Sequence, residues 1–444
     1  MYPQDCPNSA ALYQRALGVM PGGNTRHTVY FPPHPLYLTH GEGCRVTDVD
    51  GVERIDCINN YSALIHGHSH PAIVEALREQ AGKLLSVSLP TEAEIRLAEQ
   101  IVERMPGVDQ VRFANSGTEG VMFALQAARA VTGRKLVVKV EGAYHGSSDS
   151  VEVSLYPGPD AWGEDDHPTS VGEPGTHRGA VENTLVIPAN NVEVGREVIR
   201  RHAADLAAVI IDPLTKNLGY LQATPAFLQM VREETRSAGA LLVFDEVYSF
   251  RMGYNGAQGE LGILPDLTAM GKVIGGGMPI GAVGGPKALM EEIFDPRESR
   301  GRMSQSGTFN ANPMTMVAGA VALEHYDRAA HDRLAALGER LRQGLREVLS
   351  VTDRPGRVTG AASMIGLFHT DEPFSDWRSA LRLMMAQPHM MQQGDAFFRE
   401  MLNRGVYMAS QGFFVLSTAM EEADIDFIIE QALASLRSIP AQAA

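Results

Sequence analysis

The amino-acid sequence predicts an α/β protein with a mostly parallel central sheet and a smaller α/β domain assembled from both chain ends. Two observations predict this fold class. From about residue 110, short β-rich runs alternate with helical stretches, which is typical of βαβ units and of parallel sheets covered by helices. Before and after this region, hairpin and helical patterns predominate. We therefore expect a large domain at residues 61–315 and a small domain from residues 1–60 and 316–444.

The chain before residue 106 contains three helical patterns and one hairpin. NSAALYQRAL predicts a helix that is capped by Asn8 or Ser9 and ends before Pro21-Gly22-Gly23. CRVTDVDGVERIDC alternates as a hairpin does, with its turn at Asp50-Gly51. PAIVEALREQAGKLL and TEAEIRLAEQIVERM repeat apolar residues at helical spacing.

The remaining elements follow from β-rich runs and long helical patterns. A helix is predicted from Pro225, and long helices are predicted near residues 319–350 and 393–404, with a final helix after them. In a parallel sheet, ligands bind beyond the carboxyl ends of the strands. The predicted strands are VRFANS, KLVVKVEG, TLVIPAN, LAAVIIDPL, ALLVFDEV, LTAMGKVI, GAVGG and the late GFFVLST.

Composition and charge argue against several classes of protein. The net charge of −15 makes a nucleic-acid or anionic-membrane partner improbable. The three cysteines have no CxxC spacing, which argues against a disulfide framework or a structural zinc site. No apolar run is long enough to span a bilayer, and the first residues lack a basic-then-apolar signal pattern, so we expect a cytoplasmic protein.

Two loops that follow predicted strands carry candidate ligand-binding residues. In ANSGTEG, Ser116, Gly117 and Thr118 open a helix and could hold a phosphate, or they could form an ordinary helix cap. In EGAYHGSSD, Tyr144 could stack on a planar cofactor beside His145, or it could be a packed loop aromatic. Neither motif decides between its two interpretations alone.

Asp245 and Lys272 each end a predicted apolar strand. A buried carboxylate such as Asp245 requires a cationic partner. A lysine in apolar surroundings has a depressed pKa and suits covalent catalysis, although Lys272 could also be a surface lysine at a strand end. The glycines Gly275, Gly276 and Gly277 follow the lysine, so the segment is not a Walker A loop.

The order and spacing of these motifs point to pyridoxal 5'-phosphate (PLP). Such a site needs a lysine that bonds covalently to the cofactor, an aspartate that pairs with the protonated ring nitrogen, and helix-start donors for the phosphate. Lys272, Asp245 and the Ser116 loop supply all three in this sequence. The cation that faces Asp245 would then be the cofactor's pyridinium.

With these motifs in place, the sequence resembles the class III aminotransferases of PLP fold type I, the aspartate aminotransferase-like fold. The resemblance covers most of the chain and is nearest to the subgroup of glutamate-1-semialdehyde aminomutase and the β-amino-acid aminotransferases. The segments that carry it include NSAALYQRALGVMPGGNTR, GEGCRVTDVDG, HGHSHP, NSGTEG, EGAYHG, LLVFDEV, PDLTAMGKVIGGGMPIGAVGG, SGTFNANPMTMVAG and VLSTAMEEADID.

The resemblance implies a role for each residue that matches the family pattern. Lys272 would bond to PLP and move protons, and Asp245 would pair with the ring nitrogen. Thr308 would reach the phosphate of a neighbouring subunit, so an obligate homodimer with shared active sites is implied. The other implied cofactor-binding residues are Ser116, Gly117 and Thr118 at the phosphate, Tyr144 and Val247 on the two ring faces, His145 beside Tyr144, and Asn217 near the phenolic oxygen.

For substrate binding, the resemblance implies one residue that binds a carboxylate. At three other positions this sequence differs from the family pattern. Arg26 matches an arginine that grips the substrate carboxylate in the β-amino-acid enzymes, although it could also form a surface ion pair. Gln411 stands where some relatives carry an arginine, and a neutral amide cannot pair with a second carboxylate. This puts glutamate and 2-oxoglutarate in doubt. Asp212 replaces a usual glutamate, and Lys216 replaces a usual small residue.

We therefore expect a ping-pong aminotransferase that takes an amino group from an amino acid, in particular a β-amino acid, or from an amine. The acceptor would be a keto acid or an aldehyde. The same residues would serve a 2,1-aminomutase or a racemase, and a phosphate-binding module without catalysis is a further alternative. His66, His68 and His70 resemble a metal cluster, but no acidic or cysteine ligand lies near them in sequence, so no metal is expected.

Overall fold

The computed structural model describes residues 1–165, 167–297 and 302–440. Its strands include the runs that the sequence predicts and several short ones that it does not. The strands are β1 (Leu38–Glu42), β2 (Arg45–Asp48), β3 (Glu53–Asp56), β4 (Gln110–Ala114), β5 (Leu136–Val140), β6 (Thr184–Ile187), β7 (Leu206–Ile211), β8 (Leu214–Thr215), β9 (Leu221–Gln222), β10 (Leu241–Asp245), β11 (Leu267–Gly271), β12 (Gly281–Gly285), β13 (Arg357–Ala361), β14 (Met364–Phe368), β15 (Val406–Tyr407) and β16 (Phe413–Val415).

Helices cover the sheets and form most of the C-terminal region. One of them, α2, is a single turn with positive φ angles and is described with the site below. The helices are α1 (Pro7–Leu17), α2 (Asn59–Ser62), α3 (Pro71–Ala81), α4 (Glu92–Arg104), α5 (Gly117–Thr132), α6 (Arg178–Glu182), α7 (Val192–Arg201), α8 (Pro225–Ala238), α9 (Glu246–Ser249), α10 (Gly256–Leu261), α11 (Lys287–Phe294), α12 (Pro313–His325), α13 (Arg328–Val351), α14 (Trp377–Ala386), α15 (His389–Asn403) and α16 (Glu422–Ser438).

The large sheet has seven strands in the order β4-β12-β11-β10-β7-β5-β6. All neighbouring pairs are parallel except those of β12, which runs antiparallel to both β4 and β11. Every residue of β5, β7, β11 and β12 is buried, which explains why these strands are apolar apart from Lys139 of β5 and Thr268 of β11. The prediction of a mostly parallel sheet covered by helices is confirmed.

Both chain ends contribute to one smaller sheet. The predicted hairpin is present as β2 and β3, and the late strand β15 pairs parallel with β3, with Val406 opposite Ile55. A further sheet, in the order β13-β14-β16, lies in the C-terminal region. The domain limits at residues 60/61 and 315/316 stay a prediction. Within the described ranges, no helix is long and apolar enough to cross a membrane.

Two helix boundaries differ from the predicted ones. The first helix begins at Pro7 rather than after a cap at Asn8 or Ser9, because the N–H groups of those two residues donate to the Asp50 carboxylate. The helix predicted near residues 319–350 is two helices. The Asp327 carboxylate accepts the N–H of Ala330 at 2.8 Å and starts a new helix there.

Candidate active site

A cavity of about 370 Å³ lies at the carboxyl ends of the strands of the large sheet. Five parallel strands, β4, β5, β7, β10 and β11, are each followed by a residue or loop that lines it. The chain therefore gathers residues from five separate segments into one place, as parallel sheets do. In strand order along the sequence, these segments contribute Ser116, Tyr144, Asp212, Asp245 and Lys272.

Asp245 ends β10 and points its carboxylate into the cavity wall, where it is 4% exposed. One oxygen accepts the N–H of Val247 at 3.0 Å, and the other lies 2.8 Å from Nδ1 of His145. Because a carboxylate only accepts, His145 donates from Nδ1. Burial lowers the pKa of His145 despite this hydrogen bond, so the ring is neutral. His145 thus orients Asp245 without neutralising it.

The neighbouring carboxylate, Glu246, points the other way. It is fully buried and accepts the N–H groups of Ala257 and Gln258 at 2.7 and 3.1 Å, and the Gln258 side-chain amide at 2.9 Å. Burial raises the pKa of Glu246 to about 7. The two adjacent acids therefore differ in role: Asp245 serves the cavity, and Glu246 ties α9 to α10.

Lys272 follows β11 directly and has a left-handed backbone, with φ of 48°. Non-glycine residues adopt this conformation at an energetic cost and often do so at functional sites. Its ammonium lies 3.9 Å from the ring centroid of Tyr248. Burial lowers the pKa of Lys272 to about 8, while the nearby carboxylates of Asp245 and Asp212 act in the opposite direction. The amine is therefore poised near the range in which it becomes a nucleophile.

The start of α5 forms an anion-binding cradle. Ser116 is its N-cap, since its hydroxyl accepts the N–H of Glu119 at 3.2 Å. The cap interpretation of ANSGTEG is thus confirmed for Ser116, but the earlier N–H groups of the turn have no intrahelical acceptors and can serve an anion. Glycine is needed at Gly117, because a Cβ there would lie 2.8 Å from Cγ1 of Val247.

The Tyr144 loop packs against this cradle. Gly146 has a φ of +94°, and a Cβ on it would lie 2.6 Å from the Thr118 hydroxyl, so glycine is required for the close approach. The same hydroxyl accepts the N–H of Ser147 at 3.3 Å. Tyr144 is 43% exposed and lines the cavity. Tyr144 and Val247 therefore border the same space in which a planar ring would fit.

A left-handed turn lines another wall of the cavity. The four residues of α2 all have positive φ angles, between 47° and 76°, and none is glycine. Asn60 and Tyr61 of this turn line the cavity together with Arg26, whose Nη1 donates to Oδ1 of Asn60 at 2.9 Å. The turn thus positions the exposed guanidinium of Arg26. The sequence carried only a weak signal for this turn, because NNYS contains no glycine and only its two asparagines favour positive φ.

Asp212 and Tyr248 also line the cavity, although the sequence motifs did not predict that they would. Burial, followed by the charge of Asp245, raises the pKa of Asp212 well above its usual range, which favours its protonated form. The N–H of Leu214 donates to Asp212 at 3.1 Å. Tyr248 lies in FDEVYSF, three residues after Asp245, so one helical turn would have placed it beside the site.

Three of the predicted site residues do not line the cavity within the described parts of this chain. Asn217 instead donates to the Tyr156 hydroxyl at 3.3 Å. Thr308 and Gln411 are exposed, the latter in the turn between β15 and β16. Of these three, Thr308 was expected to serve a neighbouring subunit, so its exposure is compatible with that prediction. Gln411 does not contact the site in a single chain.

The histidines of HGHSHP have other partners. Both ring nitrogens of His66 are hydrogen-bonded, to the Thr418 hydroxyl at 2.7 Å and to the Ala322 carbonyl at 2.8 Å. His68 lies 2.8 Å from Asp56, an acid that is distant in sequence and that the fold brings to this segment. Among the described residues, no group of three or more metal-ligating side chains is arranged to hold a metal ion.

The donor set of the cavity fits PLP. The Asp245 carboxylate, which is held in place at the cavity, matches the ring nitrogen of PLP. The Lys272 amine, with its lowered pKa, matches the aldehyde, and the free N–H groups at the start of α5 match the phosphate. Among the described residues, the buried Nε2 of His145 has no hydrogen-bond partner, so the ring holds Asp245 through Nδ1 alone. The fold and the site together define a PLP-dependent enzyme.

Comparisons with known proteins give the family. Residues 29–432 match the family described as Aminotransferase class-III, so the chain belongs to the class III aminotransferases. An ω-transaminase structure from Sphaerobacter thermophilus is 43% identical over 98% of both chains, with a TM-score of 0.92. The β-phenylalanine aminotransferase structure from Variovorax paradoxus is 34% identical over 96% of this chain and 93% of that one, with a TM-score of 0.85. Glutamate-1-semialdehyde 2,1-aminomutase 2 of Halalkalibacterium halodurans is 39% identical over 96% of both chains.

The lowered pKa of Lys272 predicts how cofactor capture depends on pH. Only the neutral amine attacks an aldehyde, so the rate constant for PLP capture by the cofactor-free enzyme should rise about tenfold per pH unit below pH 8 and level off above it. Stopped-flow absorbance measures this rate, with N-α-acetyl-lysine as a reference for titration of PLP itself. A rate that continues to rise to pH 10, as for the free amine, would contradict the lowered pKa.

Proposed function

We propose that this enzyme transfers an amino group from a β-amino acid or a related amine to a keto acid or aldehyde, in two half-reactions. The observation that carries the proposal is the meeting of Lys272, Asp245 and the α5 start in one cavity, with Arg26 at its exposed edge. The similarity to an ω-transaminase and to a β-phenylalanine aminotransferase supports it.

In this proposal each residue has a defined task. Bound PLP supplies a ring system that accepts negative charge from the amine-bearing carbon. Lys272 holds the cofactor in the resting enzyme. As a free amine, Lys272 would take the proton from the amine-bearing carbon of the substrate and would return a proton later in the half-reaction. Asp245 keeps the ring nitrogen protonated, and Tyr144 and Val247 hold the two ring faces.

An aminomutase is the second candidate function. It is favoured by the 39% identity to a glutamate-1-semialdehyde 2,1-aminomutase. The same residues would act in both reactions. The difference is whether the keto or aldehyde intermediate leaves the site before the amino group is returned. A racemase would need a proton returned to the other face of the same carbon.

A half-reaction separates these functions. The PLP-loaded enzyme is mixed with α-, β- and ω-amino compounds without an acceptor, and is followed by visible absorbance and mass spectrometry. A transaminase should convert its cofactor fully to the amino form and release one equivalent of keto product. An isomerised or racemised amine, with the initial absorbance restored, would contradict the proposal and support an aminomutase or a racemase.

We also propose that Arg26 binds the substrate carboxylate. Replacing Arg26 by alanine should raise the KM for amino acids roughly 10- to 100-fold, the loss typical of one charge-assisted interaction, and should change the KM for simple amines little. The variant Arg45→Ala, which removes an exposed ion pair with Asp424, is the control. Equal effects on amino acids and amines would remove Arg26 from the carboxylate site.

A homodimer with shared sites is a further part of the proposal. Leu85 and Leu89 are 63% and 72% exposed, and Phe309, next to Thr308, is 58% exposed. The Asn312 side chain donates to the Leu85 carbonyl at 3.0 Å, which holds the segments that carry these exposed apolar residues together. Exposed apolar residues that are held together in this way are typical of an interface.

Light scattering tests the dimer. The purified protein should have twice the mass of one chain, and the double variant Leu89→Asp with Phe309→Asp should shift towards one chain mass and lose activity. The control is Val351→Asp, a change at another exposed apolar residue. A wild-type protein of one chain mass that retains full activity would contradict shared sites.

We infer a cytoplasmic location from the cysteines. Cys6, Cys44 and Cys57 are all free and buried, and burial raises the pKa of each thiol, which keeps them unreactive. A chain with three unpaired thiols suits a reducing compartment. Cell fractionation followed by immunoblotting should recover the protein in the cytoplasmic fraction, and recovery from outside the cytoplasm would contradict the inference.

A further inference from the structure

Lys216 lies beside the cavity and has no acidic partner among the described residues, and burial lowers its pKa. It lies in a short 3-10 turn, four residues after Asp212, which lines the cavity. Its ammonium lies 5.8 Å from the ring centroid of Tyr61 and 5.2 Å from that of Phe413. It makes no hydrogen bond or ion pair with any residue in the described part of the chain. The two rings compensate only part of the lost hydration of the ammonium.

Three other enclosed cations of this protein have a carboxylate or carbonyl partner. Arg54 lies 2.6 Å from the Asp48 carboxylate, and Arg378 lies 2.8 Å from Glu141. The ammonium of Lys139 donates to the Val153 carbonyl at 2.7 Å. An enclosed charge without such a partner lowers stability and is expected mainly where function uses it. Lys216 departs from the pattern that these three cations follow.

Lys216 does not itself line the cavity, but its charge acts on Lys272, and its ammonium lies over a ring that does line it. Arg26 is hydrogen-bonded to Asn60, and Lys216 lies over the ring of the next residue, Tyr61. Two cations therefore flank one left-handed turn that lines the cavity. Phe413, the other ring beside Lys216, is two residues after Gln411, the neutral side chain at the place of a family arginine.

We propose that Lys216 binds the second carboxylate of a dicarboxylic substrate and supplies the charge that Gln411 lacks. The amino acceptor would then be a 2-oxo dicarboxylate such as 2-oxoglutarate, whose distal carboxylate pairs with the Lys216 ammonium. This reverses the doubt that Gln411 raises about that acceptor. The inference rests on the proposed aminotransferase function and adds the class of its acceptor.

The first test measures binding without turnover. Glutarate, which cannot react, and butyrate, its monocarboxylate counterpart, are titrated into the PLP-loaded enzyme and followed by calorimetry. The change Lys216→Met should weaken glutarate binding roughly 10- to 100-fold and butyrate binding less than about threefold. Lys216→Arg should retain most of the affinity, and the exposed Lys135→Met should behave as wild type.

The second test compares acceptors. In Lys216→Met, kcat/KM should fall roughly 10- to 100-fold for 2-oxoglutarate and remain nearly unchanged for pyruvate. If Lys216 only packs against Tyr61 and Phe413, both acceptors and both binding probes will change equally, which would overturn the proposal. Absence of glutarate binding to the wild type would also overturn it.

The two proposals fail in different ways. If the wild type transfers amino groups to no acceptor, the proposed function is wrong, and the glutarate titration still decides the role of Lys216. If Lys216→Met does not fold, as judged by thermal unfolding, Lys216→Gln replaces it, because its amide can still pack on both rings. Glutarate binding that is unchanged in Lys216→Gln would overturn the inference.

Discussion

Replacing Lys272 by alanine should abolish turnover while leaving the cavity able to hold PLP. Lys272 is proposed both to bond to the cofactor and to carry the proton, so its loss should lower kcat at least about 10⁴-fold. The cofactor should still bind without a covalent bond, since the α5 start, Asp245 and Val247 remain. Activity assays and equilibrium dialysis with PLP measure the two effects separately.

The control for this change is Lys272→Arg, which keeps the positive charge beside Tyr248 but cannot bond to an aldehyde at neutral pH. It should be as inactive as the alanine variant. Thermal unfolding of both variants shows whether the fold remains stable with alanine or arginine at position 272, where φ is positive. Turnover within tenfold of wild type in Lys272→Ala would remove Lys272 from the catalytic role.

Replacing Asp245 by asparagine should have the second largest effect. The amide can still accept the N–H of Val247, so the start of α9 should persist. The neutral amide cannot stabilise a proton on the ring nitrogen of the cofactor. If its oxygen accepts from Val247, its NH2 group faces the Nδ1–H of His145, and two donors then oppose each other. Loss of one such electrostatic contact costs on the order of 10²–10³-fold in kcat. Steady-state kinetics and the visible spectrum of the bound cofactor measure the change.

Two further variants separate charge from structure at this position. Asp245→Glu keeps the charge and should recover part of the activity, although its longer side chain displaces the carboxylate. His145→Ala leaves the carboxylate without its orienting donor and should lower kcat less than Asp245→Asn does. Full activity in Asp245→Asn would contradict the pairing of Asp245 with the ring nitrogen.

The sequence predicted the large sheet and the residues at its edge well. Strands buried on both faces are continuous apolar runs, and the polar residues that end them stand out, as Asp245 does after LLVF. Parallel strands then place those ends together, so the meeting of Ser116, Asp245 and Lys272 followed from order alone. The opposite orientations of Asp245 and Glu246 did not follow, because they depend on Gln258 of α10.

Other features lay beyond the sequence for physical reasons. The left-handed turn at Asn59–Ser62 contains four non-glycine residues, and only their surroundings hold them at positive φ. The break between α12 and α13 differs from these features, because Asp327 is a typical N-cap residue and its signal was present in the sequence. The contacts of the Lys216 ammonium with the rings of Tyr61 and Phe413 depend on long-range packing, which no local pattern encodes.

The central claim is that Lys272 is the residue that bonds to PLP in this cavity. Borohydride reduction of the PLP-loaded enzyme fixes the cofactor to its lysine, and peptide mass spectrometry then identifies the labelled residue. We expect one pyridoxyl group per chain, on the peptide that contains Lys272. A label on Lys216, Lys139 or a surface lysine, with Lys272 unmodified, would contradict it.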